Sequence, residues 1–153
     1  MHTRLAVVAV GCLLAGCRAA GPTGPPFRSV ATTKQLMNAI VDPAADVVWE
    51  AVGTVITPSG TTEIAPASDE EWAAVQNGAL ALAESGNLLL LPARAGGNEE
   101  WMKLAQQLID LSEKASKAAE GKNAAAVFDL GAEIYGVCTN CHRQFIQAQQ
   151  SSR

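Results

Sequence analysis

The chain has 153 residues, 11 Lys and Arg against 15 Asp and Glu, and a formal net charge of −4 at pH 7. An acidic balance of this kind excludes the basic footprint on which nucleic-acid binding depends. The length suits one domain with one core rather than several.

The chain opens MHTRLAVVAVGCLLAGC. Arg4 gives a positive start, and the apolar run from Leu5 to Ala15 is too short for a bilayer span. Leu14-Ala15-Gly16-Cys17 resembles the lipobox of bacterial lipoproteins, in which cleavage precedes an acylated cysteine. The plainer alternative is an ordinary secretory signal with an incidental cysteine; Gly11-Cys12 is the weaker cleavage site because its apolar run is shorter. Residues 1–16 are therefore expected to be a lipoprotein signal peptide, and Cys17 the lipidation site. Residues 17–30 are Gly- and Pro-rich and read as a lipid-anchored flexible linker. Residues 31–153 form the folded domain. On this reading the protein is exported and anchored to a bacterial membrane, with its domain in the periplasm. Cys12 and His2 leave with the signal and Cys17 is lipidated, so Cys138, Cys141 and His142 alone carry thiol and imidazole chemistry. Removing Arg4 leaves 10 basic against 15 acidic side chains, a net of −5.

Alanine is abundant in the domain and β-branched runs are scarce, which points to an all-α fold. The first helix is expected from about Thr32 to Val55, because Met37, Val41, Ala44, Val48, Ala51 and Val55 recur at helical spacing. Pro43 falls inside it; Asp42-Pro43 would also suit a fresh helix start, but the unbroken apolar phase favours one helix with a kink. Residues 57–67 read as a loop. Ser68 with Glu71 forms a capping box for a second helix carrying Trp72, Val75, Ala79, Leu82, Gly86 and Leu89, which stops near Pro92. After the turn ARAGGN, Asn98 caps a third helix carrying Trp101, Leu104, Leu108, Leu111, Ala115 and Ala118, closed by Gly121. The fourth runs from about Asn123 to Gln149 with the stripe Phe128, Gly131, Tyr135, Cys138, His142 and Phe145. Four such amphipathic helices with short connections predict an antiparallel up-down-up-down four-helix bundle.

The segment CTNCH, residues 138–142, carries the chemistry. A thioredoxin-like dithiol sits at a helix N-terminus after a strand, where the helix dipole activates a thiol. Here the motif lies deep in the last helix. Structural zinc takes four ligands, usually from two separate pairs, and no second cluster exists. CxxCH is also the attachment motif for haem c. Two thiols three apart on a helix reach the two vinyl groups of one porphyrin edge, and the adjacent histidine swings under the ring to the iron. Covalent haem, held by Cys138 and Cys141 with His142 as an axial ligand, is the expectation.

Four helices with CxxCH in the last resemble the class II c-type cytochromes, cytochrome c-prime and its c556-like relatives, over essentially residues 31–150. The aromatic that the class carries three residues after the histidine is matched by Phe145, whereas Ile146 stands where a basic residue is usual. The resemblance implies an electron-transfer or gas-binding haem protein, a sixth ligand or open site supplied by the first helix, and dimerisation through the first two helices.

With no second histidine in the mature chain, the sixth iron position is Met37, Met102 or vacant. In an up-down-up-down bundle the end of the fourth helix lies beside the starts of the first and third. His142 is roughly 10 Å from its helix end, Met37 roughly 8 Å and Met102 roughly 6 Å from their helix starts, at about 1.5 Å per residue. Met37 lies on the apolar stripe and is the expected ligand; Met102 lies beside its stripe. Val41, Leu89, Trp101, Tyr135 and Phe145 fall at the same level and should line the haem pocket. Trp49 and Trp72 are placed at the far end as core, and Gly131 as a point of close helix approach.

These residues predict an electron carrier with His/Met ligation, its redox partner an unidentified protein. A five-coordinate NO- or CO-binding protein is the alternative, and a non-haem lipoprotein the third. No catalytic acid, base or nucleophile constellation appears, so no enzymatic activity is expected.

Overall fold

The computed structural model describes residues 25–147, and the expected signal peptide and Cys17 lie outside them. The described chain is mostly helical with one small two-stranded sheet. Residues 25–30 are exposed and without regular structure.

The first helical run covers residues 33–50 in three pieces: α1 (Thr33–Leu36), a π-helical turn (Met37–Val41) and α2 (Asp42–Glu50). Thr32 and Gln35 cap its start reciprocally. The expected kink at Pro43 takes the form of the π turn. Proline has no N–H to donate and its ring crowds the carbonyl four residues back. The chain answers with one wider turn, in which the Asp42 N–H donates to the Met37 carbonyl. Leu36, Val41, Ala44, Ala45 and Val48 are buried on the inner face.

The helix ends at Glu50 rather than reaching Val55. Gly53 interrupts it, and β1 (Gly53–Thr57) pairs antiparallel with β2 (Gly60–Ile64) around Pro58-Ser59. The segment expected to be a loop thus holds half a hairpin, and Val55, expected on the helical stripe, is 45% exposed on a strand. The signal was present: Thr54-Val55-Ile56-Thr57 is β-branched, and Pro58-Ser59-Gly60 has turn composition. The apolar spacing from Met37 happened to include Val55 and masked it.

The second long helix, α3 (Asp69–Leu89), carries the capping box as expected. The Glu71 N–H donates to Ser68 Oγ at 3.1 Å, and the Ser68 N–H to Glu71 Oε2 at 3.3 Å. All six stripe residues, Trp72, Val75, Ala79, Leu82, Gly86 and Leu89, are buried. The expected turn after it contains one helical turn, α4 (Pro92–Ala95), ended by Gly96 in the left-handed region with φ +55°. Asn98 caps α5 (Glu99–Glu120) and Asn123 caps α6 (Ala124–His142); each side-chain oxygen accepts from the N–H three residues on at 3.0 Å. A second π-helical turn, Arg143–Gln147, continues α6.

Helix α3 packs on α2 and α5, α5 on α6, and α6 returns to α2. The shared core includes Val48, Leu82, Leu108, Val127 and Ile134. On α6 the buried line is Val127, Gly131 and Ile134, whereas Phe128 and Tyr135, expected on the stripe, are 57% and 62% exposed. Two apolar lines run side by side along this helix, and spacing alone does not choose between them. No described helix is long and apolar enough to cross a membrane.

Candidate functional site

The CTNCH segment forms the last turn of α6. Cys138, Cys141 and His142 are half-buried, and both cysteines are free thiols. The i, i+3 spacing puts the two thiols on one helix face. Burial, followed by the neighbouring Cys141 and the Asp42 carboxylate, pushes the Cys138 thiol up to about 11; burial raises Cys141 as well. Both thiols are therefore protonated at neutral pH. An activated dithiol needs the opposite shift, and the motif stands at the wrong end of its helix to receive one from the dipole. Among the described residues no group of three or more His, Cys, Asp or Glu is arranged to hold a metal ion.

Two adjoining cavities open beside the motif. One, of about 330 Å³, lies between α2, α3, α5 and α6 and is lined by Val41, Leu89, Leu104, Tyr135 and Cys138 among others. The second, of about 710 Å³, opens toward α1 and α4 and includes Lys34, Arg94, Asn98 and Phe145. They share Met37, Asp42, Trp101, Cys141 and His142. Met37 and His142, about a hundred residues apart in sequence, thus border the same space. Met102 is half-buried and lines neither cavity.

The five other residues expected around the site all border it: Val41, Leu89 and Tyr135 the first cavity, Phe145 the second, and Trp101 both. Trp101 is held by its indole N–H, which donates to the Leu89 carbonyl at 2.9 Å, and by an edge-on pair with Phe145 at 5.1 Å between centroids.

Trp49 was placed by its sequence position in a distant core, but it lines the first cavity with Cys138. Its indole N–H donates to the Gly131 carbonyl at 2.9 Å, and its ring meets Tyr135 edge-on at 5.9 Å. A Cβ on Gly131 would stand 3.3 Å from Trp49 Cδ1, so the glycine admits a side chain from the neighbouring helix. Trp72 is buried in the core as expected.

Sequence reasoning also passed over Asp42 and Arg94. Asp42 follows the π turn and borders both cavities. Arg94, on α4, donates from Nη1 to the Leu88 carbonyl at 2.9 Å and from Nη2 to the Ala31 carbonyl at 3.1 Å. Charge type could have nominated both, but nothing local to either residue points to CTNCH.

The arrangement offers two thiols, an imidazole and a thioether around a largely apolar space bordered by aromatic rings. Comparison with protein-family models, with curated proteins and with solved structures finds no match to this chain.

Proposed function

We propose that the chain is a haem c protein that carries electrons, with Cys138 and Cys141 as thioether anchors and His142 and Met37 as axial ligands to the iron. The observation that carries this reading is the meeting of the two cavities: Met37, Trp101, Cys141 and His142 border both, and Cys138 borders one. The volumes fall within the roughly 300–1,000 Å³ of ordinary ligand sites. Val41, Leu89 and Leu104 give the space an apolar wall, and Trp101 and Phe145 offer flat surfaces to a planar ring.

The protonated thiols suit the attachment chemistry. In a thioether bond each sulfur exchanges its proton for a vinyl carbon while the proton goes to the neighbouring carbon, so the addition requires no oxidant. His142 and Met37 are the nitrogen and soft sulfur donors that the iron of a c-type haem accepts. Bound haem would supply a one-electron iron couple, with the methionine raising its potential. The protein's own contribution would be to present Met37 and His142 to one shared space and to exclude water with apolar side chains.

The same reading takes α1–α2, α3, α5 and α6 as an antiparallel up-down-up-down four-helix bundle resembling the class II cytochromes, a packing that the closed circuit of helix contacts supports. It includes export, a lipid on Cys17 that ties the domain to the membrane from the periplasmic side, and delivery of electrons to a protein partner.

The test is the visible spectrum of the full chain matured with haem, oxidised and reduced, with and without CO. The expected result is a low-spin spectrum unmoved by CO after reduction. A high-spin spectrum that shifts with CO would replace the electron carrier with a gas-binding protein. Absence of haem colour on a denaturing gel would overturn both.

A further inference from the structure

We propose that Pro43 is a positioning residue for Met37: by forcing the π turn at Met37–Val41 it sets the thioether, rather than the Asn38 side chain, at the space shared with His142. This rests on the haem reading above for the role of the thioether and adds the device that presents it.

The burial pattern of the first helical run changes step at this turn. Val41, Ala44, Ala45 and Val48 are buried at the three- and four-residue spacing of an α-helix. The next buried residue toward the N-terminus is Leu36, five back. At about 100° per residue, five residues of α-helix would turn Leu36 about 140° away from Val41, onto the solvent side, and would leave Met37 about 40° from Val41, in the core. The π turn takes up one extra residue. Leu36 therefore holds the core place that residue 37 would take in an unbroken α-helix, and Met37 holds the place of residue 38. There Met37 is half-buried and borders both cavities, while Asn38 is exposed.

Packing does not choose between the two registers. Leu and Met are similar in volume, and exchanging one for the other is among the mildest core changes. Pro43 does choose. It has no N–H for the carbonyl of Ala39, four residues back, and its ring crowds that carbonyl. From Thr33 to Glu50 there is no glycine and no second proline. The wider turn lies just before Pro43, with the Asp42 N–H donating to the Met37 carbonyl. The described residues hold two π turns, and both adjoin the proposed iron ligands: Met37 opens one, and His142 directly precedes the other. Such turns are rare, and many mark functional sites.

The experiment uses the full chain matured with haem, as wild type, Pro43→Ala and the double variant Pro43→Ala/Asn38→Met. A haem-stained denaturing gel and the wild-type visible spectrum come first. Lack of colour would overturn the haem reading itself, and a high-spin wild type would overturn the ligand role of Met37. Against a low-spin wild type, Pro43→Ala should lose the far-red sulfur-to-iron band, turn high-spin and bind CO when reduced, because Met37 moves into the core. Adding Asn38→Met to Pro43→Ala should restore the low-spin spectrum, a rescue that a merely loosened helix cannot give. A low-spin Pro43→Ala, or failure of the rescue, would overturn the proposal. A second measurement reads the register without haem. In the haem-free full chain, the thiol introduced by Leu36→Cys, followed by alkylation and peptide mass spectrometry, should react slowly with Pro43 in place. In Leu36→Cys/Pro43→Ala it should react at the rate of an exposed thiol. Equal rates would overturn the proposal whatever the haem result.

Discussion

The contact between Trp49 and Gly131 joins α2 to α6, and Trp49 also lines the cavity that Cys138 borders, so Trp49→Phe tests the packing behind the site. The substitution removes an indole donor placed 2.9 Å from the Gly131 carbonyl. That carbonyl belongs to a helix and keeps its intrahelical donor, so the loss is that of one net hydrogen bond, about 1 kcal/mol, rather than of a fully stranded acceptor. Trp49 is half-buried, and the missing part of the ring contributes about another 1 kcal/mol of apolar burial. The sum is about 2 kcal/mol, a fall in melting temperature of roughly 8 °C for a domain of this size. Gly131→Ala supplies the companion measurement. Its Cβ would sit 3.3 Å from Trp49 Cδ1. In wild type, crowding of about 1–3 kcal/mol should outweigh the gain in helix propensity of about 1 kcal/mol. With the smaller ring of Trp49→Phe the crowding eases and the propensity gain should emerge, so Gly131→Ala becomes neutral or stabilising. Thermal melts followed by far-UV circular dichroism on the four proteins of this cycle give the answer. A loss of less than about 0.5 kcal/mol in Trp49→Phe, the range of an ordinary surface change, or strict additivity of the two substitutions, would refute the reasoning.

Four further outcomes are expected. On the proposed haem reading, Met37→Leu should turn the ferric spectrum of the matured protein from low-spin to high-spin and open it to CO, whereas Met102→Leu, outside both cavities, should leave it unchanged. In the full chain prepared without haem, the Cys138 thiol, pushed up to about 11, should alkylate slowly at pH 8 and faster as the pH rises toward that value. The folded thiol keeps its proton above the pH at which the unfolded one loses it. The stability of that haem-free protein is therefore full below about pH 8.5 and falls as pH rises toward 11, measurable by denaturant titration across that window. Ser68→Ala removes the side-chain cap of α3 and should cost about 1 kcal/mol, read as a lower melting temperature.

Much of this molecule is legible one helical turn at a time. The caps at Ser68, Asn98 and Asn123, the buried stripe from Trp72 to Leu89 and the CTNCH spacing all depend on residues three or four apart, and the structure has them where the spacing puts them. The hairpin was legible too, in its β-branched run and its Pro-Ser-Gly turn, but a coincidental apolar spacing hid it. On α6 the two adjacent apolar lines were equivalent in sequence; only contact with α2 and α5 selects Val127 and Ile134 for burial and leaves Tyr135 at the edge of the cavity.

What tertiary structure alone decided is which distant residues share the space beside CTNCH. That Met37 borders the same cavities as His142 was reachable from sequence, because in the expected bundle position along a helix converts into height. Trp49 and Arg94 were not. Trp49 arrives through a hydrogen bond spanning 82 residues and a glycine that makes room for its ring. Arg94 arrives because Pro92 and Gly96 fold the α3–α5 connection into a single turn of helix, whose guanidinium is then held by carbonyls at positions 31 and 88. Local chemistry determines what each residue is able to do. Its neighbours across the core are set by how the helices pack, a property of many contacts at once that no short stretch of sequence contains.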